Sequence, residues 1–289
     1  MANKDYWVLI IEDDPFASDI IMMLLARDYR THAIEEMSGK VKLENFDSGG
    51  RLSKEHIDVV ILDTETPWNA DLPFQIAEKL CSWENSPKIL CTTTFPNIQT
   101  IKKFLNMNCF SGYLIKEEAL YSLASAVCLA ANGYFVITPG LCSSLEKEIG
   151  RSRFPADTLI LRSPKMTDLY KGCTHLEQEI IRLGILFNLP DYEIHDELCC
   201  AESTVGNTMQ DGRDVLQMPE IESGEVDLKK LFESPYLDNT KIINHYRETL
   251  EHLPENIERR KEKTGRSRFR NKSTLAFHLL TVPEIEKWD

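Results

Sequence analysis

Several things are missing from this sequence, and each absence removes a class of function. The eight cysteines contain no C-x-x-C pair, and the adjacent Cys199 and Cys200 are badly placed to bond each other. Buried, reduced thiols of a cytosolic protein are the expectation. The longest apolar stretches, such as Ile20–Ala26, fall far short of the ~20 residues that span a bilayer, so no membrane segment is expected. Met1–Trp7 carries no cationic segment followed by an apolar run, so no secretory leader is expected and the cytoplasm is the expected location. There is no P-loop, no Rossmann glycine pattern and no Ser-His-Asp signature. His175, His195, His245, His252 and His278 show no metal-ligand spacing. An enzymatic output is therefore not expected.

Positive charge is also scarce. Lys and Arg number 33 against 46 Asp and Glu, a net charge of −13, which argues against broad nucleic-acid affinity from the chain as a whole. The balance is uneven, at −8 over residues 1–150, −4 over 151–219 and −1 over 220–289. Arg259, Arg260, Lys261, Lys263, Arg266, Arg268, Arg270 and Lys272 crowd together with one acid, Glu262. That is the one basic cluster in the sequence.

What is present is a chain of 289 residues, long enough for two domains. Up to residue 139, short apolar runs alternate with amphipathic stretches. The runs Tyr6–Ile11, Thr31–Met37, Ile57–Leu62, Lys88–Thr93 and Gly112–Ile115 are strand-like. Pro15–Asp28, Pro73–Trp83, Asn97–Met107 and Glu117–Asn132 have helical periods. Strands apolar throughout and separated by helices predict a doubly wound parallel α/β sheet of five strands, covered on both faces. Its working site should lie at the carboxyl ends of the strands. Residues 140–172 have little periodicity and read as a linker. Helical patterning resumes from Thr174 to Leu216, then over Asp227–Phe232 and Asn239–Leu253, before the basic cluster and an apolar Leu275–Val282.

The predicted strand ends carry the chemistry. The first is followed by Glu12-Asp13-Asp14-Pro15. The third ends Asp63-Thr64-Glu65-Thr66-Pro67, the fourth Thr92-Thr93-Thr94, and the fifth reads Gly112-Tyr113-Leu114-Ile115-Lys116. An acid after an apolar strand is common by itself. In this order they place three carboxylates, a hydroxyl and an ammonium in one cleft. Crowded carboxylates repel one another, and a hard cation such as Mg²⁺ relieves this through oxygen ligands. Cation and Lys116 together would neutralise an incoming phosphoryl group, whose transfer needs little beyond positioning and charge. An Asp carboxylate is a recognised acceptor.

Across roughly residues 5–139 these motifs resemble the receiver domains of bacterial two-component systems, a flavodoxin-like fold. The resemblance implies that Asp63 is the phosphoacceptor. Glu12, Asp13, Asp63 and Glu65 would hold Mg²⁺, with Glu65 acting through its carbonyl and Glu12 through water. Lys116 and a threonine would contact the phosphoryl oxygens, and Tyr113 would be the aromatic switch that turns inward. Spacing from Asp63 favours Thr93, and spacing back from Lys116 favours Thr94. The interval from Asp13 to Asp63 is longer than usual, consistent with an insertion around Gly39–Leu52. The implied donor is a sensor histidine kinase or phosphotransfer protein, and the implied assembly a phosphorylation-dependent homodimer.

Residues 173–219 resemble the helix-turn-helix of NarL/LuxR-type regulators. Thr174-x-x-Glu177-x-Glu179-Ile180-Ile181-Arg182-Leu183 matches the opening helix, and Tyr192-Glu193-Ile194-x-x-x-Leu198 the second. Glu202-Ser203-Thr204-Val205 opens the recognition helix, with one extra residue before Asp191. The resemblance implies a mostly α-helical output half and DNA contacts from Ser203, Thr204, Asn207, Thr208 and Gln210. Charge opposes this, because Cys173–Met218 holds two basic residues against nine acids, a surface that repels phosphates. In the extension 220–289, the cluster 259–272 is an arm for DNA phosphates through Arg266, Arg268 and Arg270, a solvated tail, or a dock for an acidic partner. Two readings remain: a phosphorylation-controlled transcription regulator, or a protein-interaction regulator whose helix-turn-helix no longer meets DNA.

Overall fold

The computed structural model describes residues 6–28, 30–35, 42–65, 70–163, 173–187, 189–215, 277, 281 and 283–288. Two compact units emerge. One comprises Lys4–Ser163 with Ile285–Asp289, the other Pro164–Glu284 with Met1–Asn3.

The first unit is built on a sheet whose early strands are β1 (Tyr6–Ile11), β2 (Thr31–Glu35), β3 (Val59–Asp63), β4 (Lys88–Thr93) and β5 (Phe110–Ile115). They stand in the order β2-β1-β3-β4-β5, all parallel. Helices α1 (Pro15–Arg27), α2 (Leu72–Cys81) and α3 (Ile98–Phe104) lie between strands in sequence, and α4 (Lys116–Ala119) and α5 (Leu123–Ala131) follow β5. Between β2 and β3 the described residues form two 3-10 turns, Leu43–Phe46 and Leu52–Lys54, where the long Asp13–Asp63 interval had suggested an insertion.

The doubly wound expectation holds because the strands are apolar on both sides. On one face Val8, Ile10, Val59, Ile61, Leu90 and Leu114 pack against Ile21 and Leu25 of α1 and Ala126, Val127 and Ala130 of α5. On the other, Leu9, Ile11, Val60, Leu62, Ile89 and Tyr113 meet Ile76, Ala77 and Leu80 of α2 and Ile101 and Phe104 of α3. Helix starts follow local capping rules. Asp14 accepts from the Phe16 N–H at 2.9 Å, with Pro15 in the first turn, where its missing N–H costs nothing. Asn97 accepts from the Gln99 N–H in the same way. The single helix expected over Glu117–Asn132 is instead two, parted by a 3-10 turn at Leu120–Ser122.

The sheet does not stop at five strands. β6 (Val136–Ile137), β7 (Leu159–Arg162) and β8 (Glu284–Lys287) extend it past β5 to eight. Helix α6 (Pro139–Glu148) lies between β6 and β7 in sequence, so residues 140–163 are not the linker expected from their weak periodicity. The reason is short elements. Pro139 occupies a first-turn position, two residues one turn apart, Leu141 and Leu145, are fully buried, and β7 is four residues long. Gly112 permits the extension, because a Cβ there would collide with the Val136 carbonyl oxygen and lie 2.8 Å from Leu90 Cδ2.

The chain's last described residues complete this edge. Trp288 is buried and stacks edge-on against Phe154, with ring centroids 5.1 Å apart. Its N–H donates to the Thr158 carbonyl at 2.9 Å, and its carbonyl accepts from Arg151 Nε at 2.7 Å. Against expectation, two thiols are paired: a Cys81–Cys109 disulfide, Cα–Cα 5.7 Å, ties the end of α2 to the residue before β5. A separation of 28 residues leaves no spacing signature.

The second unit holds α7 (His175–Ile181), α8 (Asp191–Leu198) and α9 (Glu202–Val215). Thr174 and Glu177 form a reciprocal capping box at the start of α7, and Cys199 ends α8 with a left-handed φ of 50°. Arg182–Leu186 is a π-helical turn, with the Phe187 N–H donating to the Arg182 carbonyl. Such a turn absorbs one residue, which matches the extra residue noted before Asp191. Ile180, Ile181, Ile185, Leu186, Ile194, Val205 and Met209 are buried here. Gly184 admits Met209, whose sulfur a Cβ would strike. The expected helices at 227–232 and 239–253 and the basic cluster 259–272 lie outside the described residues.

Candidate functional site

From β1 the chain proceeds to β2 on one side, while β3 pairs on the other side. A parallel sheet opens a crevice at such a reversal, outside the strands' carboxyl ends. Asp63 is the last residue of β3. Glu12 and Asp13 follow β1, whose Ile11 is in register with Leu62. Lys116 follows β5. Four residues from three well-separated segments therefore meet at one point.

Ligand atoms of Glu12, Asp13 and Asp63 all lie within 4.8 Å of one another. Lys116 Nζ is 2.7 Å from Glu12 Oε2 and 3.1 Å from Asp63 Oδ2. Asp63 is 3% exposed and Glu12 1%. Burial first, and then the Glu12 carboxylate, push the Asp63 carboxyl up to about 7, against the pull of Lys116. Burial and the neighbouring Asp63 also raise Asp13. Burial alone would lower Lys116, but Asp63 and Glu12 outweigh it and raise the ammonium. Three carboxylates thus share one ammonium. A hard divalent cation with oxygen ligands relieves that excess, and the all-oxygen donor set fits Mg²⁺.

Glu65, which the receiver resemblance implies as a backbone ligand, has a second engagement. Its N–H donates to Asp63 Oδ1 at 3.1 Å. Its carboxylate accepts from the Thr93 hydroxyl at 2.9 Å and from the N–H groups of Thr94 at 2.8 Å and Phe95 at 2.6 Å. Burial would raise the Glu65 carboxyl, but these donors outweigh it and hold it below its usual range. Both threonines left open by spacing therefore face Glu65: Thr93 with a buried hydroxyl and Thr94 with its backbone. Tyr113 is 1% exposed, turned inward, with its hydroxyl 3.0 Å from that of Thr64. Thr92, in register with Asp63, has a buried hydroxyl without a hydrogen-bond partner. No sequence motif singled out Thr64 or Thr92. Pro67 lies outside the described residues.

In the second unit, Ser203, Asn207 and Gln210 are exposed on α9, one helical turn apart, and Thr204 is half-buried. Thr208 is 7% exposed, next to buried Met209, so it does not share that face as its place in the motif had suggested. Asp211 is exposed as well. Arg266, Arg268 and Arg270 lie outside the described residues.

No family model matches this sequence, and neither does any curated protein. Among solved structures, the chain is similar to the RcsB response regulator of Salmonella typhimurium. The two share 18% identity with a TM-score of 0.40, over 80% of this chain and 98% of that one. It is also similar to RcsB from Salmonella enterica serovar Typhimurium bound to the promoter rprA with a beryllofluoride phosphomimetic, at 18% identity and TM-score 0.39, over 79% and 97%. The isolated REC domain of that protein matches at 18% identity and TM-score 0.37, over 49% of this chain and 98% of that domain. Among the described residues no helix is long and apolar enough to cross a membrane.

Proposed function

We propose that the chain is a response regulator, phosphorylated on Asp63 and acting through a DNA-binding output unit. The observation that carries this reading is the buried Asp63 carboxylate at the strand-order reversal, with Lys116 3.1 Å away and two further carboxylates alongside. Glu12, Asp13, Asp63 and the Glu65 carbonyl would hold Mg²⁺, which when bound supplies positive charge against the phosphoryl oxygens. An Asp63 oxygen attacks the phosphorus of a phosphohistidine on a sensor kinase or phosphotransfer protein. The P–O bond forms as the P–N bond breaks, and the imidazole leaves to take up a proton. Lys116 stays beside the new phosphoryl group, its ammonium offsetting charge that would otherwise be repelled by Glu12 and Asp13. The reposed β4 threonine and Tyr113 would then reshape the nearby surface and change dimerisation or the output unit.

The test is labelling from acetyl phosphate with Mg²⁺. The parent should take up label and Asp63→Asn should not; equal labelling of both removes Asp63 from this role. DNA binding is tested by fluorescence anisotropy of duplex DNA across a salt series, with and without beryllofluoride. Salt-sensitive binding that responds to beryllofluoride supports the DNA output, and its slope counts the phosphates engaged.

A second reading is favoured by the exposed Asp211 on α9 and the excess of acids in that unit: a phosphorylation-switched regulator that binds protein and not DNA. Absence of binding even at low salt would select it. DNA affinity unchanged in the triple substitution of Arg266, Arg268 and Arg270 by Ala would remove the basic cluster from DNA recognition.

A further inference from the structure

The β4 threonine that the proposed chemistry places on a phosphoryl group already holds another anion, together with the two N–H groups that follow it. One hydroxyl and two consecutive N–H groups, from Thr93, Thr94 and Phe95, converge on the Glu65 carboxylate at 2.9, 2.8 and 2.6 Å. Convergent N–H groups of this kind make a small concavity for oxyanions. Glu65 reaches it from the acceptor itself, since its own N–H is hydrogen-bonded to Asp63 at 3.1 Å. The Thr93 hydroxyl has one proton, positioned between Glu65 Oε1 and the Phe95 carbonyl, and a second anion cannot use it at the same time. Tyr113 is already turned inward, the position that a ligand-bound threonine would call for.

We infer that Glu65 is an internal anion that occupies the phosphoryl-oxygen donors of the unphosphorylated site. It keeps Thr93 and the loop after β4 in an anion-bound arrangement, and its carboxylate leaves when the phosphoryl group on Asp63 takes those donors. This rests on Asp63 being the phosphoacceptor. Two consequences follow. Phosphorylation is slowed by the need to displace Glu65, and the loop after β4 moves less on phosphorylation than it would from an empty cradle.

The experiment compares initial rates of Asp63 labelling by acetyl phosphate and Mg²⁺ in the full chain, in Glu65→Gln and in Glu65→Ala. Hydrogen bonds to a charged acceptor are the strong ones, and losing the net advantage of one corresponds to about tenfold. Glu65→Ala should label about tenfold faster, and Glu65→Gln, which keeps a neutral acceptor oxygen, should fall between. Rates at or below the parent in both variants overturn the inference. Calorimetric titration of the folded proteins with beryllofluoride and Mg²⁺ gives an independent reading that needs no turnover. Tighter binding in Glu65→Ala, again about tenfold, is expected, and unchanged or weaker binding counts against an internal anion. The Asp63→Asn control separates the two levels. A parent that takes no label on Asp63 refutes the phosphoacceptor reading, whereas a labelled parent with unaccelerated variants refutes the role of Glu65 alone.

Discussion

Replacing Asp63 by Asn should make the metal-free protein more stable while removing its phosphorylation. The Asp63 carboxyl rises from its ordinary 3.8 to about 7, chiefly through burial and then through Glu12. Each tenfold change in proton affinity is worth about 1.4 kcal/mol, so ionising this group in the native state costs about 4 kcal/mol. The sign follows from proton linkage. Between pH 4 and 7, roughly, the native protein holds a proton that the unfolded chain has released, so stability falls as pH rises through that window. Above it the full cost is present. Asn removes the titration, and Lys116 retains Glu12 at 2.7 Å, so the ammonium is not stranded. Local relaxation reduces the gain, and about 2–4 kcal/mol is expected at pH 8 in EDTA, shrinking towards zero at pH 4. Urea unfolding followed by tryptophan fluorescence is a suitable assay. The described tryptophans, Trp7, Trp83 and Trp288, belong to the sheet unit, and no tryptophan occurs between residues 164 and 284, so the signal reports the sheet unit. An Asn variant no more stable than the parent at pH 8, or a gain that does not depend on pH, would show that the carboxylates do not burden the fold as their crowding implies.

Adding Mg²⁺ should raise the parent's thermal midpoint, with about 2.7 kcal/mol of stabilisation at a hundredfold excess over its dissociation constant. Asp13→Asn should largely abolish that response, and a full response in the variant would take Asp13 out of the ligand set. Trp288→Ala should destabilise the sheet unit by about 3 kcal/mol, the range for a buried aromatic. An unchanged urea midpoint, read from the remaining tryptophans, would mean that β8 and Trp288 do not hold the sheet's edge. Gly112→Ala forces a Cβ into the Val136 carbonyl and should cost about 2–3 kcal/mol as overpacking. The matching Gly133→Ala, which meets nothing within 4 Å but sits at a φ of +91°, should cost about 1 kcal/mol through backbone strain alone. Comparable losses at the two positions would contradict the close approach of β5 and β6.

The first five strands and the acids at their ends were legible in the sequence because their causes are local. A strand buried on both faces must be apolar throughout, and Asp63 ends such a run. Glu12, Asp13 and Lys116 could be gathered on paper because a doubly wound sheet brings its carboxyl ends together. The helices of the second unit were legible in the renewed helical patterning from Thr174 to Leu216, and a Thr174–Glu177 capping box marks the start of the first. Other features depend on partners that sequence distance conceals. β6, β7 and β8 are strands of two to four residues, stable only against neighbours, so residues 140–163 looked structureless. Cys81 finds Cys109, and Trp288 finds Phe154, only after the sheet has formed. Thr208 faces inward because α9 packs through Val205 and Met209, a choice of face that the motif did not specify. Spacing alone left Thr93 and Thr94 unresolved, and the fold turns both towards the carboxylate of a residue that the receiver resemblance implied only as a backbone ligand. Sequence patterning thus decided which residues end each strand, since that follows from burial of neighbouring residues along the chain. What each of those end residues holds was decided by strand register and loop geometry, which exist only in the folded protein.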